Sequence, residues 1–212
     1  MEPIPESPFE ALLEAISERN AEAAQAMSDG RRMRTERGRA AVVEELLALV
    51  NQGIHPTVAE IAEQSGVSER TVFRYFPDRE SMYIAIAVEI FPKIAHCFSL
   101  QPPTAGLDER LRGLVQLRVE MTEVAGKYAD WVESTDKPTI AQTTITALRR
   151  EQMRRQIAVW LAPELSDDRS NLGTVINAML PQRPIGMILE ELSREQTTEV
   201  LVNAVRRILA ND

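Results

Sequence analysis

Apolar residues recur three and four positions apart along most of the chain, and the two-residue alternation of a half-buried strand is missing. The spacing of Val42, Val43, Leu46, Leu47 and Val50 predicts a helix from about Thr35 to Asn51, with Gly53 just past its end. In TVAEIAEQSG, Thr57 is placed to cap a second helix while Glu60 reaches back to the Thr57 amide, and Val58, Ile61 and Ala62 turn inward. Gly66 lets the chain turn after about two helical turns, and Ser68 can cap a third helix through Tyr75. Pro77 and Asp78 end that helix and begin the next, whose stripe is Met82, Ile86 and Ile90.

The same period continues to the C-terminus. A break at Gln101 to Gly106 precedes a helix from Asp108 to about Trp131, with Leu111, Leu114, Val115, Arg118, Val119 and Thr122 on one face. A boundary at Thr135 to Pro138 leads to a long helix from Thr139 to Leu161, closed by Pro163. Residues 169 to 192 read as helical with a kink or short break at Pro181 and Pro184, since each proline removes an intrahelical hydrogen bond. Ser193 and Gln196 predict a capping box for a last helix through Leu209, with Val200, Leu201, Ala204, Val205 and Ile208 inward. The predicted fold class is all-α, about nine or ten helices. Ahead of them, Pro3, Pro5 and Pro8 mark a loosely held tail, Phe9 to Met27 a weakly amphipathic helix, and Gly30 a break.

Composition narrows the class. A 212-residue chain with 44% hydrophobic and 26% charged residues suits a globular protein with a sizeable core. The acidic start, without a run of 18 apolar residues, points to a cytoplasmic address and no membrane. The single cysteine, Cys97, reads as a small buried hydrophobe. A net charge of −8, taken as an average, opposes nucleic-acid binding, but the charge is unevenly distributed. Residues 1–30 hold seven acids against Arg19, a net of −6, whereas Arg31, Arg32, Arg34, Arg37 and Arg39 against Glu36 give residues 31–39 a net of +4.

Two short helices joined by a glycine-containing turn present the second as a rod that a major groove admits, braced by the first. Val67, Val72 and Phe76 are spaced to lock that rod down, leaving Arg70, Thr71 and Arg74 outward. Either arginine can make a two-pronged bond to guanine, and Thr71 can touch a thymine methyl or a phosphate. The amides at Thr57 and Ser68 lie at helix starts that favour anions. Arg79, a cation in a first turn, is best placed if a phosphate lies near. Arg34, Arg37 and Arg39 point toward the adjacent DNA backbone or minor groove.

The stretch TVAEIAEQSGVSERTVFRYFPDRESM, from Thr57 through Met82, strongly resembles the DNA-binding signature of the TetR/AcrR family of bacterial regulators. The resemblance covers roughly residues 35 to 90. It implies a three-helix DNA-binding lobe with a helix-turn-helix, followed by a variable helical domain for ligand binding and dimerisation. On these positions it implies phosphate contact near Thr57, Thr71, Tyr75 and Arg79, base or backbone contact from Arg70 and Arg74, and core duty for Val72 and Phe76. Phe73 stands where many members place a tyrosine whose hydroxyl meets phosphate, leaving it only packing against the sugar-phosphate surface or the lobe. The expected organisation is an acidic extension over 1–30, a DNA-binding domain over 31–80, with Ser68 capping its recognition helix, and an effector-binding and dimerisation domain over 81–212.

The resemblance further implies that the last two long helices pair with their copies in a homodimer, so that the operator is a near-palindrome. Candidates to line an effector cavity for an apolar or amphipathic small molecule are Met121, Tyr128, Trp131, Thr143, Thr144, Met153 and Trp160, all equally suited to core packing. A ligand-responsive repressor is the expected function, with no cofactor and no enzymatic activity. Two other classes fit parts of the pattern. A hydrolase would have to work with only His55 and His96, without metal-spaced clusters or a glycine-rich phosphate loop. A helical protein-interaction adaptor would leave the outward Arg70, Thr71, Arg74 and Arg79 without a task.

Overall fold

The computed structural model describes residues 14, 18, 30–134, 137–165 and 170–210. The acidic helix expected over residues 9–27 lies outside them, apart from residues 14 and 18, which are helical and exposed. Among the described residues there is no strand, and the chain is all-α.

Helices α1 (Gly30–Asn51), α2 (Val58–Gln64) and α3 (Glu69–Tyr75) pack on one another around Val42, Leu46, Val50, Ile61, Val72 and Phe76. Helix α1 begins at Gly30, not near Thr35, so the arginine-rich run is helical rather than a lead-in. Gly30 stands where a helix needs no intrahelical acceptor for its amide, and Arg, Met and Glu behind it are good helix formers. Helix α4 (Arg79–Ile94) lays Met82, Tyr83, Ile86, Ala87, Ile90 and Phe91 into the core and passes into a 3-10 turn, Ala95–Phe98. The segment Arg79–Phe98 is long and apolar enough for a membrane span, but half of it is buried within the protein, as a core helix would be.

Four interruptions separate the remaining helices, α5 (Leu107–Glu133), α6 (Ile140–Trp160), α7 (Ser170–Met179), α8 (Gln182–Glu191) and α9 (Arg194–Ala210). The expected proline break is a full one. Pro181, in extended conformation, is the N-cap of α8, and Pro184 falls in its first turn, where a missing amide costs nothing. Ser193 and Gln196 form the predicted box: the Gln196 amide donates to Ser193 Oγ at 3.2 Å and the Ser193 amide to Gln196 Oε1 at 3.1 Å. The inner face of α9 is turned from the expected one. Val200 is 49% exposed, while Leu201, Val202, Val205 and Leu209 are buried, joined by Thr197 and Thr198.

The described residues form two compact units. The first runs to Lys93 and includes Lys127–Thr146; the second comprises Ile94–Gly126 and the residues from Ala147 onward. In the first, Tyr128 stacks on Tyr83 with centroids 5.8 Å apart, and the Glu80 carboxylate accepts from the Ala141 amide at 3.1 Å. In the second, Leu111, Leu114, Val115 and Val119 of α5 meet Ile157, Ile176, Ile185 and Val205.

Candidate nucleic-acid interface

The two short helices are held by their own polar residues. Around α2, the Glu60 amide donates to Thr57 Oγ1 at 3.3 Å, while the Thr57 amide and hydroxyl donate to Glu60 Oε2 at 2.7 and 2.9 Å. This is the predicted capping box, and these bonds hold the Glu60 carboxyl below its ordinary range. At the head of α3 the Thr71 amide donates to Ser68 Oγ at 3.2 Å, with Thr71 Oγ1 3.0 Å from the same oxygen. Between them Gly66 adopts φ +66°, the left-handed conformation that only glycine takes without strain. At the next boundary Asp78 Oδ1 accepts from the Ser81 amide at 2.7 Å, which lowers the Asp78 pKa, and the Ser81 hydroxyl donates to the Asp78 carbonyl at 2.8 Å.

Anchored this way, α3 has a clear inner and outer side. Val72 and Phe76 are buried, Val67 is half-buried, and Arg70 and Arg74 are exposed with Thr71 half-buried beside them. Phe73 is 52% exposed, a large apolar ring on the same short helix. Arg79 is exposed as the first residue of α4, and Arg37 is exposed on α1. Arg39 is otherwise engaged: its guanidinium lies 5.1 Å over the Phe76 ring and is half-buried, so it braces α3 from α1. Thr57 is exposed, with its amide already satisfied by Glu60, so an anion there has to take the place of that carboxylate.

Tyr75, expected from the resemblance near a phosphate, also packs in a way that residue order does not announce. It is half-buried, with Arg74 stacked 5.2 Å over its ring, and its hydroxyl lies only 2.4 Å from where a Cβ on Gly38 would stand. Gly38 thus permits the end of α3 to approach α1. A glycine inside an otherwise helical pattern is the available sequence signal for such an approach. Ser81 is absent from the sequence candidates because its partner Asp78 already accounts for the helix start.

The seven effector-lining candidates divide between the units. Tyr128, Trp131 and Thr144 belong to the first, where Thr144 is exposed. Trp131 lies tilted against Tyr128, with centroids 6.1 Å apart, and lines a cavity of about 680 Å³ that His55, Thr57, Phe73, Arg79 and Met82 also border. His55 there lies with Nδ1 3.2 Å from the Ser134 hydroxyl. Met121, Met153 and Trp160 belong to the second unit and are buried, and the Trp160 Nε1 donates to the Ser99 carbonyl at 3.0 Å. Thr143, like Thr144, is exposed.

The second unit also gathers groups that the sequence left apart. His96, Cys97 and Glu120 bring their ligating atoms within 4.8 Å of one another, with His96 Nε2 2.8 Å from Glu120 Oε1. These residue types can bind a metal, but burial and the Glu120 charge push the Cys97 thiol up to about 11, and Arg194 also engages Glu120 at 3.8 Å. As read from sequence, Cys97 is fully buried.

Residues 43–86 match the family model described as bacterial regulatory proteins, tetR family. No curated protein and no solved structure matches the chain. The matched span opens inside α1, contains both capped helices and the Gly66 turn, and closes in α4. A helix-turn-helix with its arginines outward lies on the span that the family model recognises, so residues 43–86 are similar to the DNA-binding part of tetR-family bacterial regulatory proteins and support a DNA-binding transcriptional regulator.

Proposed function

We propose that the protein is a ligand-responsive repressor that acts in the cytoplasm, binding a near-palindromic operator as a homodimer. The observation that carries the reading is the exposed pair Arg70 and Arg74 on a short helix whose other side, Val72 and Phe76, is sealed in the lobe. Such a helix offers two guanidinium groups to base edges, with Thr71 between them and Arg37 and Arg79 as phosphate contacts. Ser68 and Thr57 contribute by fixing the helix starts, and Tyr75 by holding the end of α3 against α1.

Pairing through the C-terminal helices is supported by apolar side chains left in solvent: Val175 on α7 is 47% exposed, Met187 on α8 66% and Val200 on α9 49%. Two-fold pairing sets the recognition helices about 34–36 Å apart or at a larger groove-matched distance. The residues from 81 onward then supply the sensing domain. An effector releases DNA only if it binds the non-DNA-binding arrangement more tightly.

The test is binding to duplexes from the protein's own upstream region, followed by anisotropy across a salt series. A steep fall of affinity with salt and a requirement for both half-sites are expected. Equal affinity for a single half-site and for random duplex would sink the operator reading.

A further inference from the structure

Among the described residues, Arg118 is the one charged side chain wholly removed from solvent, at 0% exposure. It sits midway along α5, on the face that also carries Val115, Val119 and Met121 into the core. Its Nη2 donates to the Met153 carbonyl of α6 at 3.1 Å, whereas Nε and Nη1 meet no acceptor. A guanidinium so placed is among the most costly arrangements a core can hold, and buried arginines are ordinarily paired with a carboxylate.

No carboxylate acts on this one. Burial lowers its pKa to about 9, so it remains charged at neutral pH, and the charge of Arg149 on α6 adds to the lowering. Arg149 donates through Nη1 to Gln182 Oε1 on α8, and the Gln182 Nε2, also buried, meets no acceptor. Arg118 thus lacks a carboxylate partner and three donor nitrogens, its Nε and Nη1 and the Gln182 Nε2, meet no acceptor, while the buried Met121 and Met153 supply apolar surface in the same unit. If Arg118 served packing alone, a methionine would fill the site without the burden of an unpaired charge.

We infer that Arg118, supported by Arg149 and Gln182, anchors the negative group of the effector, a small carboxylate on an apolar body. The inference rests on the ligand-responsive reading above and gives its ligand a chemical class. Zero exposure means that no water-sized space adjoins the guanidinium, so the ligand-bound state is an opened one. A carboxylate that pairs with Arg118 favours the opened over the closed arrangement, which is the differential affinity that regulation needs.

The experiment titrates the full-length protein, at fixed ionic strength, with two matched pairs: octanoate against octan-1-ol, and benzoate against benzyl alcohol. Binding is followed by calorimetry and thermal melting. At least one carboxylate is expected to bind tenfold or more tightly than its alcohol. Arg118→Met is expected to erase that preference while melting no lower than the wild type, and Arg118→Lys to keep part of it. Equal binding within both pairs, no binding by either carboxylate, an undiminished preference in Arg118→Met, or a variant that melts several degrees lower each overturns the inference. Operator affinity measured alongside separates the two readings. Carboxylate binding through Arg118 that leaves operator affinity unchanged supports the anion site and removes the ligand-responsive reading alone. Operator release by an alcohol, intact in Arg118→Met, keeps regulation and overturns the anion site.

Discussion

The DNA-reading unit and the C-terminal unit handle their polar groups in opposite ways. Around α2, α3 and α4 the decisive hydrogen bonds are exposed and span three positions, as Thr57 with Glu60, Ser68 with Thr71 and Asp78 with Ser81. In the second unit they are buried and span 35 to 59 positions, as Arg118 with Met153, Gln152 with Phe98 and Gln156 with Cys97. Short-range polar bonding shapes a surface that must stay open to a partner. Long-range buried bonding ties helices to one another and makes their arrangement sensitive to whatever those groups next bind.

The largest effect expected in the first unit comes from its packing. Phe76→Ala should lower stability by about 3–5 kcal/mol in urea unfolding, because the ring is 2% exposed and carries Arg39 on its face. A loss under about 1 kcal/mol would mean that the lobe repacks around the gap and that local capping alone holds α3. Next, Arg70→Ala and Arg74→Ala should each weaken operator binding by about 1–3 kcal/mol with unfolding midpoints unchanged. A variant that loses stability instead would show its arginine to be structural.

Gly38→Ala should cost about 1–3 kcal/mol through overpacking against Tyr75, and Tyr75→Phe in the same chain should return part of it by removing the 2.4 Å contact. Purely additive losses would show that the contact yields without cost. Thr57→Ala should cost about 1 kcal/mol, the ordinary value of a lost cap. The smallest effect is on pH dependence. Glu60 and Asp78 titrate below their usual values of 4.5 and 3.8, so their contribution is complete above those values and fades as pH falls through the lowered ones. Glu60→Gln should flatten the acid limb of the stability profile below pH 4.5, and an unchanged limb would assign acid unfolding to other carboxylates.

This contrast also explains what could be read from residue order. Thr57, Glu60, Ser68 and Gly66 announce their roles because cap and turn chemistry acts between near neighbours. The same holds for Ser193 with Gln196 and for the stop at Pro181. Arg118 gives no such signal: at its position it reads as a polar interruption late on an apolar face, and only the approach of α6 shows it to be enclosed. The clustering of His96 and Cys97 with Glu120, 24 positions away, is hidden for the same reason. Val200, expected inward, is exposed because several faces of α9 are apolar enough to be inward and the neighbouring helices decide between them. Gly30 misled in the other direction, since a glycine that ends one helix can equally start another.

Gly66 sits at φ +66° with no atom within 4 Å of an added Cβ. There is room for a side chain, so the demand at this corner is one of angle alone. Asparagine, which visits left-handed geometry more readily than other chiral residues, is therefore the natural substitute, whereas alanine is disfavoured despite fitting the space. Descendants of this chain can exchange the letter at the corner and keep the elbow.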